Sequence, residues 1–349
     1  MADKEVRVGV VGTGMGRLHM QAYSEVPGVR LVAVCDLNEP EARFFAEKYG
    51  AKHVFSDYRE MFTLEGLDAV SIAVPNYLHA PMALAALEAG LHVLCEKPMA
   101  TEVSDAVAMM EKARAAGKRL MVHMNMRFRE STLALGRLAP AGELGEVYYG
   151  RASMLRRRAV PTIHFPSTGI MGRGPWFLER EKAGGGALMD IGVHTYDLMW
   201  WCMGCPKPIS VSASTYRMLY EEEAAQAGVK FDVDELASAF IRFEGGATAF
   251  VDVSWAANQA PEWQVRVCGT KAGLQVSPPT IFRDRDGVLE SATVELAEAK
   301  RVTPQAHFVD CIRHPEKPLI SSGEEGVQVV KVLDAIRRSA TSGREVTIE

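Results

Sequence analysis

Long apolar runs and amphipathic stretches alternate through the first third of the chain. Val6–Val11 is an apolar run interrupted only at Arg7, the mark of a strand covered on both faces. A glycine-rich turn follows at 12–16, then a helical pattern to about residue 26. Residues 31–35 read as a second buried strand ending at Asp36. Glu39–Tyr49 reads as a helix, His53–Phe55 as a short strand and 69–74 as another strand, closed by Pro75-Asn76. Residues 79–89 are amphipathic and stop at Gly90, a left-handed cap position. His92–Cys95 is a strand pattern, 102–116 a helix ending at Gly117, and 120–124 one more strand. This alternation predicts a parallel, doubly wound α/β sheet of Rossmann type with helices on both faces.

The texture changes near residue 125. Residues 147–154, 209–216, 237–243, 247–254 and 263–268 read as strands, several alternating apolar with polar side chains. Such alternation fits an antiparallel sheet with one wet face. Glu244-Gly245-Gly246 is a hairpin signal between two of them. Residues 221–227, acidic and rich in small side chains, read as an exposed loop, and 323–339 as a closing helix. The expected organisation is a dinucleotide-binding domain over 1–124 and an α+β domain over 125–349. The second domain would carry a large, open, mostly antiparallel sheet and serve substrate binding and oligomerisation.

Bulk properties leave this picture standing. A chain of 349 residues suits one large or two ordinary domains, and 48% hydrophobic residues supply ample core. The net charge of −5 gives no electrostatic argument for nucleic acid or acidic membranes as partners. No apolar run is long enough to span a bilayer. The start at Met1 enters a strand pattern without the zones of a signal peptide. Cys35 and Cys95 sit in strand patterns, as buried thiols of a reducing cytoplasm would. Cys202-Met203-Gly204-Cys205 is a single C-x-x-C at the end of an apolar helix, weak as a zinc site.

Chemistry enters at the strand ends. Glu96-Lys97-Pro98 stops the strand His92–Cys95, and ligands bind at the carboxyl ends of parallel strands. Lys97 can hold a substrate oxygen or move a proton there; the plain alternative is a surface ion pair. The turn Gly12-Thr13-Gly14-Met15-Gly16 lies between a buried strand and a helix, where backbone amides and the helix dipole receive a pyrophosphate. Its third glycine comes one residue earlier than in G-x-G-x-x-G. Asp36 falls about 20 residues further on, where a carboxylate meets the adenosine ribose hydroxyls. That carboxylate would repel a 2′-phosphate, and Leu37-Asn38 offers no arginine, so NAD is favoured over NADP. Val74-Pro75-Asn76 closes the next strand, where the nicotinamide half would lie. His79 either approaches the cofactor there or opens its helix.

A second constellation is Gly184-Gly185-Gly186 followed by a helical pattern over 189–202. Three glycines let the chain pass close to a ligand or to another backbone. Asp190, His194 and Asp197, at i, i+4 and i+7, would share one helix face. Histidine suits proton transfer near neutral pH, and a carboxylate one turn away can orient it. A helix-start Asp with a buried His, or a metal pair, are the other readings.

Together these residues resemble the glucose–fructose oxidoreductase/inositol dehydrogenase (Gfo/Idh/MocA) family. The glycine turn, Val74-Pro75-Asn76 with His79, Glu96-Lys97-Pro98, Asn125 with Arg127-Phe128, and Gly185-Gly186 through Asp190 and His194 occur in that family's order and spacing. The resemblance implies NAD(P)-dependent oxidation or reduction of sugars, cyclitols and related polyols by a homodimer or homotetramer. It implies that Lys97, Asp190 and His194 are catalytic. It also puts Gly12, Thr13, Gly14, Met15, Gly16, Asp36, Val74, Pro75, Asn76, His79, Glu96 and Lys97 at the cofactor. The resemblance assigns Arg127, Asp190 and His194 to substrate, and Arg156–Arg158 and Gly174-Pro175-Trp176-Phe177 look like a sugar-dehydrogenase subgroup whose region lines the cleft, which adds Arg158 and Trp176. The arginines read equally as a solvated face, and Trp176 as core. On this reading His194, oriented by Asp190, takes the hydroxyl proton while Lys97 steadies the alkoxide; in the alternative, Lys97 moves the proton. The competing functions are a non-catalytic NAD or sugar sensor and an NAD-assisted glycoside-cleaving enzyme of the same fold.

Overall fold

In the computed structural model, residues 4–161, 174–294 and 302–349 are described. The expectation for the chain's first residues, from Met1, lies outside them. Six strands, β1 (Val6–Val11), β2 (Val29–Cys35), β3 (His53–Phe55), β4 (Ala69–Ile72), β5 (His92–Cys95) and β6 (Leu120–Val122), form one sheet. Every pairing is parallel and the order is β3-β2-β1-β4-β5-β6. That is the doubly wound Rossmann order, with its switch point between β1 and β4. The apolar runs have the predicted cause: β4 is buried at every position, and Val8 and Val10 of β1 are fully covered. Each such valine stabilises the fold by roughly 1.5–3 kcal/mol. The intervening helices end where left-handed glycines allow it, Gly50 (φ 74°) after Glu39–Tyr49 and Gly117 (φ 61°) after Val103–Ala116.

The chain divides into two units, Met1–Asn125 with Val302–Val327, and Met126–Arg301 with Gln328–Glu349. Long-range hydrogen bonds hold the returning segment in the first unit. Ser321 Oγ donates to the Val122 carbonyl at 2.6 Å, and Val122 N–H donates to the Ser321 carbonyl at 3.1 Å.

The second unit is built on nine strands: β7 (Val147–Leu155), β8 (Pro208–Tyr216), β9 (Leu236–Phe243), β10 (Thr248–Ser254), β11 (Glu262–Gly269), β12 (Ala272–Gln275), β13 (Thr280–Arg285), β14 (Val288–Thr293) and β15 (Val346–Thr347). Their order is β14-β13-β12-β11-β7-β10-β9-β8-β15, antiparallel except for the β7–β10 pair. The helix Val193–Cys202 packs on β7 and β11. It comes so close that a Cβ at Gly150 of β7 would lie 3.0 Å from Met199 Sδ.

Two local readings change. Glu221–Gln226 is a short helix rather than a loop. Its three glutamates occupy the first turn, where the helix dipole favours them, and Ala224 is buried beneath. The helix expected over 189–202 begins instead as a wide π turn, Leu188–Gly192, and becomes α-helical at Val193. The inserted residue breaks the simple 3.6-residue spacing on which a shared face for Asp190, His194 and Asp197 depends.

Candidate active site

The glycine turn has three glycines for three separate reasons. Gly12 has φ +89°, and a Cβ there would lie 2.2 Å from the Ala73 carbonyl oxygen. A Cβ on Gly16 would lie 2.9 Å from Val10 Cγ1, so this glycine lets the helix Gly16–Ser24 sit against β1. A Cβ on the exposed Gly14 would meet nothing within 4 Å. Fold packing therefore explains Gly12 and Gly16 but not Gly14, which fits a turn that must admit a pyrophosphate against bare backbone. Met15 is partly exposed beside it. Thr13 is buried, and both its amide (2.6 Å) and its hydroxyl (2.8 Å) donate to Asp36 Oδ2. Asn38 N–H donates to Asp36 Oδ1 at 2.8 Å. A carboxylate offers about four lone-pair sites. Three donors thus hold Asp36 at the end of β2 and leave capacity for ribose hydroxyls. The residues present fit a dinucleotide.

Beyond β4, Val74 and Pro75 are half-buried and Asn76 is buried at the start of a short turn of 3₁₀ helix. His79 is fully buried as the first residue of its helix, so it does open that helix. Its ring also joins two loops: Nδ1 lies 2.7 Å from the Pro98 carbonyl oxygen and Nε2 2.9 Å from that of Val74. Burial pushes the imidazole pKa down, against the two carbonyls, which favour the charged ring. Glu96 is buried, while Lys97 stands half-buried at the end of β5, its N–H donating to Glu96 Oε2 at 3.1 Å.

In the second unit Asp190 lies on the wide turn and accepts a hydrogen bond from Trp255 Nε1 at 3.0 Å, both residues being buried. His194 is half-buried on the first turn of the following α-helix. Asp197, further along, is committed elsewhere. Its two oxygens accept from Arg127 Nε at 2.9 Å and Nη2 at 2.6 Å, with both side chains out of solvent. Arg127, expected at the substrate, is thus a fully buried partner of Asp197. Arg158 is exposed, donating to the Arg157 carbonyl at 2.6 Å. Trp176 is half-buried against Phe177, ring centroids 4.0 Å apart. The triple glycine approaches another backbone: a Cβ on Gly186 would lie 1.8 Å from the Asp234 carbonyl oxygen. Asp234 in turn accepts from Gly186 N–H and Leu188 N–H, each at 2.8 Å, bracing the turn that carries Asp190. Burial raises the Asp234 carboxyl pKa despite those donors.

Trp255, Asp234, His19, His123 and Gln305 were not singled out from the sequence. Nothing local marks them; each acts on a partner far along the chain. All six cysteines are free thiols, so the C-x-x-C forms no disulfide.

Residues 6–124 match a family model described as an oxidoreductase family with an NAD-binding Rossmann fold. Residues 132–275 match the GFO/IDH/MocA C-terminal domain. D-glucoside 3-dehydrogenase of Escherichia coli (strain K12) is 32% identical over 360 residues, covering 100% of this chain and 99% of its own. D-apiose dehydrogenase of Paraburkholderia graminis is 28% identical, covering 99% of this chain and 90% of its own. Among solved structures, levoglucosan dehydrogenase in complex with NADH shares the fold, with a TM-score of 0.84 at 24% identity, covering 99% of this chain and 100% of its own.

Proposed function

The chain belongs to the Gfo/Idh/MocA oxidoreductase family, and on that premise we propose that it moves a hydride between a hydroxyl-bearing carbon of a sugar, cyclitol or related polyol and NAD. The observation that carries the reading is the pairing of a dinucleotide turn, with Gly14 open and Asp36 braced, with Lys97 at the end of β5. The sugar-dehydrogenase relatives support the substrate class. The first unit binds the dinucleotide and the second binds the polyol.

Bound NAD supplies the hydride acceptor. The chain's own residues do the rest. Amides of the turn beyond Gly12 and Thr13, whose own N–H groups donate to the Cys35 carbonyl and to Asp36, receive the pyrophosphate, and Asp36 accepts from the ribose hydroxyls and repels a 2′-phosphate. Val74, Pro75 and Asn76 line the nicotinamide end. His194 takes the hydroxyl proton, with Asp190 holding its ring, and Lys97 stabilises the developing alkoxide. Such electrostatic stabilisation lowers the barrier by about 3–4 kcal/mol where a preorganised donor meets a developing oxyanion. Arg158 and Trp176 meet the sugar. An exposed Phe250, its ring 4.8 Å from that of the half-buried Phe240 on the second sheet, supports self-association through that face.

The direct test is a panel of sugars, cyclitols and anhydrosugars with NAD and with NADP, followed by NADH absorbance. Turnover of at least one polyol with NAD preferred is expected. Binding of NADH or sugar without turnover would favour a sensor, and aglycone release without net NADH a glycoside-cleaving enzyme. The pH–rate profiles of His194→Ala and Lys97→Ala assign the proton: if His194→Ala keeps the rate and the pH dependence, Lys97 carries it.

A further inference from the structure

Behind Lys97 lies a buried polar group that the proposed chemistry does not use. His19 comes from the helix Gly16–Ser24 and His123 follows β6, and both reach the Glu96 carboxylate. His19 Nε2 lies 3.0 Å and His123 Nδ1 2.8 Å from Glu96 Oε1, with ring centroids 4.3 Å apart. The other oxygen of Glu96 accepts from Lys97 N–H. Gln305 Nε2 lies 3.2 Å from His123 Nε2. Among the described residues, these two histidines and Glu96 are the one trio placed to hold a metal, their ligand atoms within 4.8 Å of one another.

Counting protons favours a cluster that closes without an ion. An ionised carboxylate only accepts, so each histidine must donate to it. The amide nitrogen of Gln305 only donates, so His123 Nε2 is a bare lone pair and its proton sits on Nδ1, facing Glu96. His19 donates from Nε2, which leaves its buried Nδ1 as a bare lone pair with no partner. A metal on His19 Nε2 would move the proton to Nδ1 and bury an N–H with nothing to accept it. Metal-bound histidines ordinarily donate that second N–H. Burial alone would raise the Glu96 carboxyl pKa, but the two histidines hold it well below the usual range, and burial keeps the His19 ring neutral.

We propose that His19, Glu96 and His123 form a metal-free clamp that sets the main chain at Lys97 and ties it to the helix of the dinucleotide turn. The histidines are then positioning residues for hydride transfer, an assignment that rests on the polyol oxidoreductase reading above. Glu96 grips the Lys97 peptide directly, so a shift of the carboxylate moves the lysine. A displacement of about 1 Å at a reacting group can cost about 100-fold in rate.

Two pairs of variants test this. His19→Gln and His123→Asn keep an N–H donor where Nε2 and Nδ1 stand, whereas His19→Leu and His123→Leu remove it. The leucine variants are expected to lose about 10- to 100-fold in kcat with little change in the KM for polyol, and the amide variants to recover most of it. Full kcat in the leucine variants, or amide variants that fall as far, would overturn the clamp. Two measurements on the wild-type protein need neither variant folding nor turnover. Long-range ¹H–¹⁵N correlation should find His19 neutral with its proton on Nε2 and His123 neutral with its proton on Nδ1. Like tautomers, or an imidazolium at neutral pH, would refute the arrangement, as would one tightly held divalent metal per chain. If no polyol is turned over, the enzyme reading fails, while the tautomers and metal content still judge the clamp.

Discussion

Replacing Arg127 by methionine separates two roles for a residue that sequence motifs assigned to substrate. The guanidinium and the Asp197 carboxylate are 0% and 1% exposed and meet through two charge-assisted bonds. Trp201 adds a ring 5.5 Å from the guanidinium carbon. Arg127→Met keeps the volume approximately but leaves Asp197 buried beside an apolar side chain. Stranding one member of such a pair costs about 3–5 kcal/mol. Unfolding entropy is about 2.1 cal/mol/K per residue, so the second unit, roughly 200 residues, carries about 0.4 kcal/mol/K. The unfolding midpoint of that unit should then fall by about 7–12 °C. Arg127→Met with Asp197→Leu removes both charges, and stability should return to within about 1–2 kcal/mol of the parent. Calorimetry and guanidinium unfolding of parent, singles and double provide the cycle. A single variant that melts with the parent but loses kcat/KM would refute the structural role and place Arg127 at the substrate. A double no better than the single would refute the charge argument.

Three further outcomes follow from the same geometry. Gly14→Ala should fold and melt like the parent but bind NADH at least about tenfold more weakly in a fluorescence titration, whereas Gly12→Ala, strained at φ +89° and clashing with Ala73, should lose stability first; equal NADH affinity in Gly14→Ala would remove the reason for its openness. Trp255→Phe deletes the donor to Asp190, and hydrogen bonds to charged groups are worth about 1.5–3 kcal/mol, so denaturant unfolding should show a loss of that order; an unchanged midpoint would mean the bond contributes nothing. Burial lowers the pKa of His19, His79, His92 (to about 4) and His307, all in the first unit. Below the ordinary value of 6.5 the unfolded chain binds more protons than the folded one, so stability should fall progressively from pH 6.5 towards 4. Glu96, held low by its histidines, adds to that loss below about pH 4.5. Hydrogen exchange in β1 and β4 between pH 8 and 5 reads this directly, and protection that stays flat would contradict it.

The elements of the first sheet were legible because their causes are local. A strand buried on both faces must be largely apolar, and β1 and β5 run where the pattern put them. The turn after β1 needs a left-handed residue at Gly12, and only glycine adopts that conformation freely. Lys97 could be named because charge at the end of a buried strand is conspicuous. The helix Glu221–Gln226 was missed because six residues are too few for a periodic signal.

Partner choice had no such local mark. Asp190, His194 and Asp197 look like one helix face in sequence, yet a wide turn intervenes and Asp197 turns to Arg127. Three glycines suggest a ligand or a backbone equally, and only the fold brings the Asp234 carbonyl against Gly186. Trp255 is 65 residues from Asp190, and Gln305 is 182 from His123. Residue pattern along the chain decides which segments are strands or helices, because period and burial are properties of neighbours. Which buried carboxylate meets which cation or N–H depends on how those segments are brought together. That is a property of the packed structure, where each desolvated polar group must find its partner from whatever part of the chain supplies one.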